Sequence, residues 1–298
     1  MDIKNVTVCG SGVLGNQIAF QVAFHGFNVT VYDISDEVLA KAKTRRAGLA
    51  ESYQKELKAS KGQIDATVLR ISDTSDIAEA SRAADLVIEA IPEDVQIKLD
   101  FYRKLGQLAP ATTIFATNSS TFLPSKFAEA TGRPDQFVAL HFANHIWMHN
   151  TAEIMGHPGT RPDVFATVVE FARSIGMVAL PIKKEQPGYI LNSLLVPFQL
   201  AALQLWIGEV ASYETIDKTW MIATDSRLGP FGRMDIIGIA TVYNIVKAEA
   251  DRREDPSILR IASALKEQFL DKGKLGLAAG EGFYQYPAPA FQHPGFLS

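Results

Sequence analysis

The chain is poor in cysteine. Its 298 residues include one, Cys9. An intramolecular disulfide and a cysteine-built zinc site are thereby excluded, and a reducing compartment fits. Cys9 sits in an apolar run and reads as a small buried residue. An excess of basic charge is lacking as well. The formal net charge is −4, which argues against a general nucleic-acid binder, since that needs a basic footprint. A local basic groove for an acidic ligand stays compatible with it. Internal repeats and low-complexity tracts are not found. Hydrophobic residues make up 47% and charged residues 21%, ordinary values for a globular chain of a length that allows two domains. The start, Met1-Asp-Ile-Lys-Asn5, runs straight into a strand pattern. The expectation is a cytoplasmic protein without a signal or transit peptide. One stretch, 188–208, carries no formal charge, yet Asn192, Gln199, Gln204 and Pro197 interrupt it. It is expected to be a core helix, buried on most sides and kinked at Pro197, not a membrane span.

What the chain does have is Val6-Thr-Val-Cys-Gly10-Ser-Gly12-Val13-Leu14-Gly15 followed by a helical apolar pattern. Gly10 suits the tight exit from a strand, Gly12 lets backbone approach a pyrophosphate, and Gly15 lets the helix lie close on the sheet. Free N–H groups and the positive dipole end at the helix start favour anions. A second strand pattern, Asn28–Asp33, ends in an acid near the spacing of a ribose-binding carboxylate. That acid would repel a 2′-phosphate, and Asp36 and Glu37 add negative charge, so NAD is favoured over NADP. The competing reading of Asp33 is a turn or cap residue after a strand.

Strand patterns recur at 3–9, 28–33, 85–91, 113–117, 137–141, 152–155 and 177–182. Helical patterns lie at 13–25, 36–58, 75–83, 94–108, 124–130 and 162–174. Such alternation predicts a doubly wound, mainly parallel α/β sheet of Rossmann type. The polar segment 59–74 is expected to be a loop, with a short strand at 68–71 as the alternative. After Gln186-Pro187 the strands stop, and apolar-periodic helices follow at 188–208, 213–224, 229–250 and 257–272. The expected domains are 1–187 for the dinucleotide and an all-helical 188–298 for substrate and dimerisation. The Pro-rich end after 286 is expected to be loosely held.

Ligands of open α/β sheets bind beyond the carboxyl ends of the strands. Polar clusters fall there: Glu89 to Glu93, Thr117-Asn118-Ser119-Ser120 and His141-Phe-Ala-Asn144, with Glu153 on the next strand. His141 is the natural proton donor and acceptor, and Glu153 is placed to fix its tautomer. A histidine at a strand end is otherwise structural. His145 and His149 with His141 would form a metal site only with more ligands in fixed geometry than this loop supplies, so no metal is expected. Asn118 and Ser120 suit either a substrate oxygen or nicotinamide carboxamide, or helix capping. Glu93 and Lys98 flank a helix start and, alone, read equally as surface charges. Asn192 is the polar exception in an apolar helix and needs a partner.

Together these runs resemble the L-3-hydroxyacyl-CoA dehydrogenase family. The matching runs are 10–15, Asp85-Leu-Val-Ile-Glu-Ala-Ile-Pro-Glu93, Ala116-Thr-Asn-Ser-Ser120, His141-Phe-Ala-Asn144, Pro187-Gly-Tyr-Ile-Leu-Asn192, Gly229-Pro-Phe231 and Gly280-Glu-Gly-Phe-Tyr284. Within the family, His141-Phe-Ala-Asn-His-Ile-Trp147 and Asn150-Thr-Ala-Glu153 look most like its diketoreductase branch. The resemblance implies an NAD(H)-dependent oxidoreductase interconverting 3-hydroxyacyl and 3-oxoacyl compounds by hydride transfer. His141 would be its acid/base, Glu153 the orienting partner, and Ser120 and Asn192 the groups on the substrate oxygen. It implies cofactor contacts at Gly10, Gly12, Val13, Leu14, Gly15, Asp33, Glu93, Lys98, Asn118, Ser120 and Asn144, and a homodimer formed through the helical domain.

The chain departs from that pattern in three places. His145, then Ile146-Trp147, stands where the family usually has Pro. Leu49 and Glu56 stand where it often has Ser and Lys facing CoA, although Lys55 and Lys58 are close. Ala278 replaces a Lys that approaches the cofactor. The substrate is therefore either a CoA thioester or a free β-keto or 3,5-diketo ester or acid. An inactive NAD-binding sensor or structural protein is the contrasting alternative, and the complete set of four catalytic residues argues against it.

Overall fold

The computed structural model describes residues 2–298. The strands are β1 (Asn5–Cys9), β2 (Asn28–Tyr32), β3 (Ile71–Thr74), β4 (Leu86–Glu89), β5 (Ile114–Thr117), β6 (Phe137–Phe142), β7 (Thr151–Met155) and β8 (Val178–Ile182). The helices between them are α1 (Val13–Phe24), α2 (Asp36–Glu56), α3 (Lys61–Leu69), α4 (Ile77–Ser81), α5 (Val95–Leu108), α6 (Ser125–Ala128) and α7 (Pro162–Ser174). The second unit holds α8 (Leu191–Ile207), α9 (Tyr213–Thr224), α10 (Pro230–Ile237), α11 (Ile239–Arg253) and α12 (Pro256–Gln268). Contacts divide the chain at Ile190/Leu191, three residues past the boundary expected from Pro187.

The first unit is one eight-stranded sheet in the order β3-β2-β1-β4-β5-β6-β7-β8. Pairs from β3 through β6 are parallel; β7 runs antiparallel to β6 and parallel to β8. The central strands read as unbroken apolar runs because helices cover both faces: every residue of β4, β5 and β6 is buried. Cys9 is fully buried as expected; burial, then the charges of Glu89 and Asp33, push its thiol well up, so it is poorly reactive.

Segment 59–74 is not a loop. Ser60 accepts from the Gln63 amide while the Gln63 side chain accepts from the Ser60 amide, a capping box that starts α3. Its buried face is Ile64 and Thr67, and β3 follows at 71–74, later than the alternative strand at 68–71. In the second unit the single helix expected over 229–250 is two. Gly238 takes φ +95° between α10 and α11, a conformation glycine alone adopts readily, and the apolar period runs across it unbroken. Helix α8 buries one face, through Gln199, Leu200, Ala202 and Leu203, and not most sides; Leu191, Leu194 and Leu205 are exposed. None of the described helices is long and apolar enough to cross a membrane.

The segment 282–286 ahead of the Pro-rich end is held by two buried carboxylates, while most residues beyond it are exposed. Asp217, fully buried, accepts from the amides of Phe231 (2.8 Å) and Gly232 (2.9 Å) at the start of α10 and from the Tyr284 hydroxyl (2.9 Å). Asp235 accepts from the amides of Phe283 and Tyr284, both at 2.8 Å, and from the Tyr286 hydroxyl. Phe291 then packs on Tyr284. Asp217→Ala orphans three buried donors and should lower stability by about 3 kcal/mol. Urea unfolding followed on the second unit's tryptophans measures this; an unchanged midpoint would show that water replaces the carboxylate without loss.

Candidate active site

The site starts with the glycine loop. A Cβ on Gly10 would lie 2.3 Å from the Ala90 carbonyl oxygen, and one on Gly15 would lie 1.9 Å from that of Gly10. Both positions therefore require glycine for close strand and helix packing. Gly12 faces open space, and α1 starts there without a side-chain cap, so its first N–H groups remain for an anion. This is the cradle that a dinucleotide pyrophosphate fits, with Val13 and Leu14 on its first turn. Asp33, just past β2, accepts from Ser11 N (2.7 Å) and Ser11 Oγ (2.6 Å) on one oxygen and from Ile34 N (2.8 Å) on the other. It stays half-exposed, with lone pairs left for ribose hydroxyls.

Behind the loop runs a polar strut that pattern reading did not single out. Asn16 donates to the carbonyls of Ser11 (2.6 Å) and Gly12 (3.0 Å) and accepts from Arg46 at 2.9 Å; Arg46 in turn forks onto Asp73. Arg46 is buried on α2. Its charge at an inward helix position was the available signal.

The second part lies at the carboxyl ends of β4 and β5. Lys98 is 1% exposed, on the buried stripe of α5 with Tyr102 and Leu105. Its ammonium meets Glu89 at 2.5 Å and Glu93 at 3.1 Å. Glu89, wholly buried, also accepts from Tyr102 (2.9 Å), Thr117 (2.8 Å) and Ile91 N (3.0 Å). Glu93 takes hydrogen bonds from Ser119 Oγ, Thr121 Oγ1 and Thr121 N. Burial pushes the Glu93 carboxyl up, but the bonds from Ser119 and Thr121 and the Lys98 charge outweigh it and hold it below its usual range. Lys98 thus reaches the loop 118–121 through Glu93, from inside. Asn118 accepts from Phe142 N at 3.0 Å, which ties β5 to β6 and leaves its amide nitrogen to donate elsewhere.

The third part is an unbroken chain of contacts. Ser120 Oγ lies 3.1 Å from His141 Nε2, and His141 Nδ1 lies 2.9 Å from Glu153 Oε2. His141 and Glu153 are register partners across β6 and β7, on one face, and are 5% and 4% exposed. The second Glu153 oxygen accepts from Ile190 N at 2.8 Å. A carboxylate on Nδ1 fixes the tautomer and leaves Nε2, on the Ser120 side, to exchange a proton. Three of the four expected catalytic residues are therefore brought together. Asn192, the fourth, is half-buried in the first turn of α8, in the other unit.

Asn144 is exposed just past β6, and its carbonyl bonds the His149 ring. The next residue, His145, has φ +58°, and its amide donates to Gln17 Oε1 at 2.8 Å. A proline there would lose that donor and cannot take that φ. Trp147 Nε1 donates to Glu56 at 3.0 Å and its ring meets Tyr53. Among the described residues no group of three or more His, Cys, Asp or Glu is arranged for a metal ion.

Known proteins resemble this chain over nearly its whole length. Residues 5–186 match the 3-hydroxyacyl-CoA dehydrogenase NAD binding domain and residues 188–286 the C-terminal domain of the same family. The human mitochondrial hydroxyacyl-coenzyme A dehydrogenase is 34% identical over 294 residues, covering 95% of this chain and 91% of its own. A solved diketoreductase that acts on dicarbonyl compounds is 54% identical with a TM-score of 0.92, covering 96% of this chain and 100% of its own. The (S)-3-hydroxybutyryl-CoA dehydrogenase of Ralstonia eutropha is 27% identical with a TM-score of 0.84, covering 96% and 100%.

Proposed function

The chain belongs to the 3-hydroxyacyl-CoA dehydrogenase family, NAD-dependent oxidoreductases acting on CH–OH, and from that premise we propose how its residues carry the reaction. The observation that carries the reading is the Ser120–His141–Glu153 chain beside the carboxyl ends of β5 and β6 in a dinucleotide-binding sheet. Bound NADH supplies the hydride for a 3-oxo carbon. His141 delivers the proton to the forming alkoxide, or removes it in the oxidative direction. Glu153 holds the imidazole in one tautomer and balances its charge. Ser120, with Asn192 by the family resemblance, donates to the substrate oxygen and polarises it. Gly10, Gly12, Val13, Leu14 and Gly15 hold the pyrophosphate, Asp33 holds the ribose, and Asn118 and Asn144 lie along the cofactor. Glu93 and Lys98 brace that loop.

The substrate reading that a specific observation favours is a non-CoA dicarbonyl or β-keto compound. The 54% identity is to a diketoreductase, against 34% to the human enzyme. Glu56, at a position the resemblance assigns to CoA, is engaged by Trp147, and Leu49 packs on the core. Steady-state kinetics on acetoacetyl-CoA and on a free 3,5-dioxo ester test this. The free ester is expected to match or exceed the thioester in kcat/KM; a thioester preference of about tenfold or more would return the chain to CoA substrates. Retained NADH binding without turnover of either would favour the sensor reading. The homodimer belongs to the same proposal, supported by the exposed Leu191, Leu194 and Leu205 of α8.

A further inference from the structure

Two in-plane contacts hold the His141 ring, to Glu153 at Nδ1 and to Ser120 at Nε2. They leave its tilt about the line joining them unfixed. What fixes the tilt is Tyr189. Its ring stacks on the imidazole with centroids 4.5 Å apart and planes 19° from parallel. Its hydroxyl donates to the Ser119 carbonyl at 2.7 Å, the residue before Ser120. The next residue, Ile190, gives its amide to Glu153. One short turn thus reaches the histidine, its carboxylate and the serine loop. Tyr189 is 1% exposed and has φ +56°, a left-handed conformation that a bulky residue adopts only where its surroundings impose it. The strain aims the ring at His141 and the following amide at Glu153.

We propose that Tyr189 is a positioning residue for proton transfer, setting the plane of His141 through the flat contact. The ring face also attracts the positive charge that the imidazole carries on one side of the transfer. The inference rests on the reading of His141 as the proton donor, and a double-mutant cycle separates the two. Tyr189→Leu removes the ring and should lower kcat by roughly 10–100-fold, the scale of a misplaced reacting group. KM for the keto substrate and the NADH dissociation constant, read by fluorescence titration, should stay within about threefold, since neither reports the proton position. The solvent deuterium isotope effect on kcat should rise as proton transfer becomes limiting. Tyr189→Phe keeps the stack and should restore kcat to within about threefold of the unmodified protein. In a His141→Ala background, Tyr189→Leu should cost almost nothing further. Tyr189→Met, closer in volume, serves if the leucine variant fails to fold.

An equal loss from Tyr189→Leu with and without His141 would overturn the positioning role while leaving the proton donor in place. So would a phenylalanine variant as poor as leucine. A His141→Ala protein with undiminished kcat would overturn both.

Discussion

Replacing His141 with alanine should lower kcat by roughly 10²–10⁴-fold, the range of general acid–base catalysis, and leave NADH affinity nearly unchanged. The asymmetry follows from where the residues lie. The pyrophosphate cradle is at β1 and α1 and the ribose carboxylate is just past β2, while His141 is on β6, with β4 and β5 between. Nothing in the cradle bonds to His141. Its partners are Ser120 and Glu153, and its ring face meets Tyr189. Losing the imidazole therefore removes the proton path while the nucleotide contacts stand. Rates under saturating NADH, paired with a fluorescence titration of NADH, measure both quantities. A loss of NADH affinity as large as the loss of rate would move His141 from proton transfer to cofactor binding.

The largest expected effect on stability is at Lys98. Removing its charge with Lys98→Met strands Glu89, which is wholly enclosed and was paired at 2.5 Å. Breaking a buried ion pair from one side costs about 3–5 kcal/mol, because the remaining charge is uncompensated. The pair as a whole adds much less, since both ions were taken out of water. Adding Glu89→Gln to Lys98→Met should therefore recover a good part of the loss: a neutral amide oxygen still accepts from Tyr102 or Thr117 without a buried charge. Urea midpoints of the two variants and the parent decide it. If the double variant is less stable than Lys98→Met alone, Glu89 is holding the strand end through its hydrogen bonds and not through the ion pair.

What was legible in the sequence was mostly local. The glycine spacing, the acid after β2 and the alternation of strand and helix are short-range signals, and the fold follows from them. His141 and Glu153 were pairable because their strands are consecutive. The rest depended on partners far apart. His145 was visible as a departure from the family's proline, but its amide acceptor, Gln17, is 128 residues away on α1. Tyr189 falls at the start of the helix expected over 188–208, which begins instead at Leu191, and nothing local says that its ring lies on a histidine. Lys98 reads from its neighbours equally as a surface charge, and only the resemblance brings it to the cofactor, although it shares the buried stripe with Tyr102 and Leu105. The differences at α3 and Gly238 have opposite physical causes: a capping box starts a helix within a polar segment, and a glycine break lies under a continuous apolar period.

One consequence follows from the antiparallel ladder of β6 and β7. Because His141 and Glu153 sit opposite each other in it, backbone hydrogen bonds act as the ruler between proton donor and anchor. The hairpin loop that joins the two strands contributes nothing to that measurement. It is held by separate contacts, with Ile146 and Trp147 in the core beside α2 and the His145 amide on Gln17, and this is where the chain departs from the family. The spacing of proton donor and anchor is thus set apart from the loop in which the chain departs from its family.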